Sequence, residues 1–150
     1  MHKITPFLWY DGNVQEAIDF YRGVFPGTTV VSTIPGPGGA ISGATVEIEG
    51  QRLILFNGGP HHKFTPAISL YVDCRTQEEV DRLWSKLLEG GGREDHCGWL
   101  QDRFGLSWQI VPAVLPKLLA DPDREKAQRA LQAMLGMKKI DIGALERAAA

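Results

Sequence analysis

The sequence predicts an α+β fold: two consecutive β-α-β-β-β modules followed by a helical extension. Three observations predict it. A strand-then-helix pattern occurs twice at one offset of 63 positions, with strand starts Ile4 and Ala67, helix caps Asn13 and Thr76, and capping-box acids Glu16 and Glu79. After each helix come three short segments of strand character. Residues 113–150 instead carry apolar side chains at helical spacing.

Each element has a local reason. Residues 4–10 (ITPFLWY) mix aromatic and β-branched side chains and read as a strand. Asp11-Gly12 turns the chain, and Asn13 with Glu16 opens a helix. Val14, Ala17, Ile18, Tyr21, Val24 and Phe25 form its apolar stripe, and Pro26-Gly27 stops it. Strands are predicted over 28–34, 41–49 and 52–56. In the second of these, Ala44, Val46 and Ile48 alternate with Thr45, Glu47 and Glu49, so one face is buried. Residues 53–56 are apolar throughout, which predicts cover on both faces. Residues 35–39 (PGPGG) form a loop, and no helix start follows to complete a phosphate cradle.

The second module repeats this order. Residues 67–73 (AISLYVD) read as a strand, Thr76 and Glu79 cap a helix, and Val80, Leu83, Trp84, Leu87 and Leu88 form its stripe. Gly90-Gly91-Gly92 ends the helix. Strands are predicted near 93–95, 97–103 and 106–111, and Pro112 closes the module. The boundaries are thus 1–60, 66–112 and a helical extension over 113–150, all within one domain. In the extension, Ala127, Ala130, Leu131, Met134 and Leu135 make one stripe after Asp121-Pro122-Asp123. Ile140, Ile142 and Leu145 make a shorter one after Lys138-Lys139. The chain's own sheet and a second subunit are equal candidates for what these stripes cover.

Composition excludes several function classes. With 16 basic and 18 acidic residues the net charge is −2, which offers no field for a phosphate backbone, so nucleic acid is not an expected partner. No apolar run approaches the roughly 20 residues that span a bilayer, and the opening residues lack a signal-peptide pattern. Two cysteines, Cys74 and Cys97, are too few for a disulfide scaffold. The expected setting is the cytoplasm.

Several stretches together resemble a known family. These are ITPFLWYDGN with EAIDFYRGVFPG, then FNGGP, AISLYVDC, CGWLQDRFGLSWQIVP and the tail MKKIDIGALERA. They resemble the PhnB-like branch, labelled 3-demethylubiquinone-9 3-methyltransferase-like, of the vicinal oxygen chelate superfamily, which includes glyoxalase I and bleomycin-resistance proteins. The resemblance implies curled mixed sheets around a cavity for a small ligand, and a homodimer. Metal-using members place His or Glu on the first and last strand of each module. The matching positions here are Thr5 or Pro6, then residues 53–56, Ala67 and Gln109. Only Gln109 brings a side-chain oxygen suited to an ion, so no metal and no cofactor are expected. His61, His62, His96 and Cys97 are an alternative N/S set, but adjacent histidines point different ways.

Two residues are candidates for chemistry. Cys97 stands beside His96 and Asp95, although neighbours on a strand face opposite sides and a small buried apolar residue is the plain alternative. Glu47 becomes the acid–base candidate if the inner face of the sheet is the polar one. Thr5, Trp9, Asn57, Trp99, Trp108 and Gln109 are the ligand-binding candidates: rings for a pocket wall and a few polar groups to orient a guest. Trp99, Trp108 and Phe104 equally suit core filling, and Asp102 is read as a turn residue. The function predicted is metal-independent binding of a small organic molecule, with or without catalysis by positioning and polar groups. The alternatives are a methyltransferase as the branch label suggests, sequestration of an antibiotic or metabolite, and a glyoxalase-type metal enzyme.

Overall fold

The computed structural model describes residues 3–150; Met1 and His2, the opening residues of the first module, lie outside the described residues. The chain forms two compact units that part between Phe64 and Thr65.

The first unit contains β1 (Phe7–Tyr10), α1 (Val14–Val24), β2 (Thr28–Pro35), β3 (Ile41–Ile48) and β4 (Gln51–Asn57). Its sheet order is β1-β4-β3-β2, with β1 parallel to β4 and the other pairs antiparallel. β1 starts later than residue 4, because Pro6 has no N–H to give a ladder and enters only as an acceptor from the Ile54 N–H. Leu8, Tyr10, Ala44, Val46, Ile48, Leu53 and Leu55 are buried, as are Val14, Ala17, Ile18, Tyr21 and Val24 of α1, which packs on this sheet. Residues 53–56 are therefore covered on one face only: Leu53 and Leu55 are buried, while Ile54 and Phe56 stay half-buried on the opposite side. The α1 cap also differs from expectation. Asn13 has φ −125° and ψ 31°, not the extended backbone a side-chain cap needs, and makes no capping bond. Instead Asn57 Oδ1 accepts the Val14 N–H at 2.9 Å. Pro35, predicted as loop, ends β2 by pairing with Ile41, and the connection that follows holds a short 3-10 turn at Pro37–Gly39 that leads into a strand.

The second unit contains β5 (Ser69–Cys74), α2 (Gln77–Leu88), β6 (Arg93–Glu94), β7 (Trp99–Gln101) and β8 (Ser107–Pro112), in sheet order β5-β8-β7-β6. Here the capping box forms: Thr76 Oγ1 accepts from the Glu79 N–H at 3.1 Å, and Glu79 Oε1 accepts from the Arg75 N–H at 2.8 Å. β7 is shorter than the predicted 97–103. Cys97 and Gly98 adopt positive φ (59° and 84°), and their N–H groups donate to Met137 and Lys138 carbonyls rather than to a strand. Cys74, Leu100, Trp108 and Ile110 are buried with Val80, Leu83, Trp84 and Leu87 of α2.

The extension forms α3 (Val114–Leu119), α4 (Arg124–Leu135) and α5 (Ile142–Ala149). Its core joins Leu115, Ile140 and Leu145 to Val111 of β8, so part of the predicted stripes covers the chain's own second sheet. The α4 stripe is buried only at Ala127 and Ala130, and Leu135 is 52% exposed. Gln77 fastens the extension to α2: its Nε2 donates to Ile140 O at 3.0 Å and its Oε1 accepts the Ile142 N–H at 2.8 Å. Asp81 adds an ion pair with Lys139 at 2.9 Å. Among the described residues, no helix is long and apolar enough to cross a membrane.

The Asp81 carboxyl is held below the usual carboxylate range, chiefly by its hydrogen bond with Lys139 and then by Gln77. A carboxylate with a lowered folded pKa stabilises the fold above its unfolded value, and that contribution is lost as pH falls through the lowered one. Acidification below about pH 4 is therefore expected to loosen the α5 attachment. The NMR amide shift of Ile142, whose N–H bonds Gln77, should follow this titration in the intact protein and lose that step in Asp81→Asn.

Candidate functional site

The first sheet has one face buried with its helix and one open face; the second packs α2 on one face, and its other face is closed at Ser107 and Val111 and open at Tyr71 and partly at Gln109. In the first unit, strand register sorts the open face into three rows. Trp9, Phe56, Gly43 and Ile34 lie abreast across β1, β4, β3 and β2. Next come Phe7, Ile54, Thr45 and Ser32. The third row holds Arg52, Glu47 and Thr29. The face thus grades from aromatic at one end to charged at the other.

The aromatic end is tightly specified. The Phe56 ring centroid lies 5.5 Å from those of Phe7 and Trp9, and His62 meets Trp9 edge-on at 4.8 Å. Trp9 Nε1 donates to Gly59 O at 2.9 Å, which satisfies its one polar atom. Gly58 packs so closely that an added Cβ would fall inside the Trp9 indole. The FNGGP stretch is therefore the seat of Trp9. At the charged end, Arg52 donates through Nε and Nη2 to Glu47 Oε2, at 3.2 and 2.9 Å. Both side chains are about one-third exposed, at 34% and 30%.

The second unit's open face is more polar. Ser69 and Tyr71 on β5 lie abreast of Ser107 and Gln109 on β8, followed by Gln101 and Trp99 on β7. Gln109 Nε2 donates to Ser69 Oγ at 2.9 Å, so this half-buried amide has one internal partner. Burial, then Asp73 and Cys74, pushes the Tyr71 phenol up, so it stays protonated at neutral pH.

The candidates thus separate. Trp9 and Glu47 share the first open face, Trp99 and Gln109 share the second, and Thr5 lies before β1, half-buried. Trp108 does not join them: it is 2% exposed on the buried face, and its Nε1 donates to Asp102 Oδ2 at 2.9 Å. Asn57 faces α1 and caps it. Cys97 is half-buried in the turn before β7. Phe56, Phe7, Arg52 and Thr45 were missed by sequence reasoning, because only the register reveals which residues stand beside Trp9 and Glu47.

The two thiols differ in access. Cys74 is 0% exposed, and burial, reinforced by Glu79 and Asp73, pushes its pKa up to about 12. Iodoacetamide at neutral pH is expected to label one thiol per folded chain, and none in Cys97→Ser. Mass spectrometry of the tryptic peptides checks this; label on Cys74 would contradict it.

Two bound groups can be tested against this geometry. Metal chemistry does not fit the open faces, where β1 and β4 present Phe7, Trp9, Ile54 and Phe56. Among the described residues no three His, Cys, Asp or Glu side chains gather as a metal set. The glycines of residues 36–39 do not fit a nucleotide-type cofactor either, since they lead into β3 and no helix N-terminus follows.

Residues 2–111 match the family described as 3-demethylubiquinone-9 3-methyltransferase. Among solved structures, a PhnB protein from Bacillus cereus is 33% identical with a TM-score of 0.68, covering 75% of this chain and 100% of its own. Protein PA1353 from Pseudomonas aeruginosa is 23% identical with a TM-score of 0.61, covering 75% and 98%. The fosfomycin resistance protein FosX from Listeria monocytogenes shares the fold at 12% identity and a TM-score of 0.60, covering 81% and 100%. No curated protein matches the chain.

Proposed function

The chain belongs to the PhnB-like 3-demethylubiquinone-9 3-methyltransferase family of the vicinal oxygen chelate superfamily, and from that premise we propose that it binds a small ring-bearing organic molecule on the open face of its first sheet, without a metal. One observation supports this above all: Phe7, Trp9, Ile54 and Phe56 form a continuous apolar surface that runs into Thr45 and the Glu47–Arg52 pair, opposite the face that packs on α1. Small-molecule sites are mostly apolar, with few polar groups that set orientation. Thr5, half-buried before β1, adds a hydroxyl. Trp99 and the Gln109–Ser69 pair are a second, more polar set of ligand contacts. Glu47 is the proton-handling group on the first face, and Cys97 the more accessible nucleophile. The cytoplasm and a homodimer complete this reading.

The direct test is a titration of the intact protein with 2-methoxynaphthalene, followed by tryptophan fluorescence. Saturable quenching is expected. A signal that only rises linearly up to the solubility limit of the compound would overturn the proposal.

A further inference from the structure

Resting on that reading, we propose that the first open face selects neutral ligands carrying an O–H or N–H donor, and that Glu47 Oε1 receives it. The geometry of the ion pair points to this. Arg52 directs both Nε and Nη2 at one carboxylate oxygen, Oε2, whereas a forked pair would engage both. Among the described residues, Oε1 accepts no hydrogen bond. The carboxylate is nonetheless held in place by the guanidinium, so its second oxygen is an acceptor oriented in advance.

The neighbours define the ligand class. An anion would meet the open carboxylate oxygen and be repelled. A cation would find the charge of Glu47 already balanced by Arg52. A neutral donor gains a charge-assisted bond without disturbing the pair. Gly43 and Glu47 are four residues apart on β3, about 13 Å along the strand. A flat molecule lying over Ile54 and Phe56, with one hydroxyl or amide N–H at its far end, fits between the aromatic row and Oε1. Phenols, enols and aromatic amides meet this description.

The experiment compares 2-naphthol with 2-methoxynaphthalene, which differ in one donor. Wild-type protein is expected to bind 2-naphthol at least about tenfold more tightly, the size of one hydrogen bond to a charged group. In Glu47→Ala the preference for 2-naphthol over the methyl ether should shrink to less than about twofold. Glu47→Gln, which keeps an oxygen but not the charge, should fall between. Equal wild-type affinities, or a preference that survives Glu47→Ala, would overturn donor selection while leaving aromatic binding standing. If neither compound binds, the reading of the face as a ligand site falls, and this inference with it.

Discussion

Asp102→Ala is expected to cost about 3 kcal/mol of stability, the largest effect of any single change considered. Asp102 is 2% exposed. Its Oδ1 accepts the N–H groups of Phe104 and Leu106, at 2.9 and 3.1 Å, and its Oδ2 accepts Trp108 Nε1. Removal of the carboxylate strips three donors of an acceptor at once, and each buried unsatisfied donor costs about 1–3 kcal/mol. For a chain of this length the melting temperature should fall by about 10 °C. Asp102→Asn keeps an acceptor for the backbone but turns its amide N–H group toward another donor at Trp108, so it should fall by less. A thermal melt of the three proteins checks the order. A loss below about 1 kcal/mol in Asp102→Ala would show that the turn holds itself.

Trp9→Ala is expected to weaken 2-methoxynaphthalene binding by at least tenfold, on the order of the 1.5 kcal/mol or more that one lost ring contact of this size is worth. A weaker test would confound loss of the ring with loss of the fold, so the second variant is Gly58→Ala. There the indole remains in the chain, but the new Cβ occupies its place. The Trp9 Nε1 bond to Gly59 cannot persist once the ring is displaced. Both variants should lose binding, and Gly58→Ala should do so with all four tryptophans present. Full affinity in Gly58→Ala would mean that the ring position does not matter.

Local signals were legible in the sequence, and register was not. The α2 cap is a local device: Thr76 and Glu79 lie within one turn of the backbone groups they satisfy, so the motif carries its own geometry. The α1 cap is not local. The acceptor for Val14 comes from Asn57 across the sheet, and no reading of residues 11–16 could find it. Trp108 shows the same limit in β8. Trp108 and Gln109 were both read as pocket residues, although neighbours on a strand face opposite ways; which of them meets α2 is fixed by pairing with Leu70 and Leu100. Glu47 was visible as a break in an apolar pattern, whereas Arg52 became its partner only through the β3–β4 register. Cys97 looked like strand because its neighbours do; its backbone is instead claimed by carbonyls some forty residues later, at Met137 and Lys138.

The four indole N–H groups allow the most direct test of where a guest sits. Trp9 lines the first open face, Trp99 the second, and Trp84 and Trp108 are buried, with their Nε1 atoms donating to Glu94 and Asp102. A proton–nitrogen NMR titration with 2-naphthol resolves all four. The Trp9 signal is expected to move to saturation while those of Trp84 and Trp108 stay in place. Movement at Trp108 with Trp9 unchanged would contradict this.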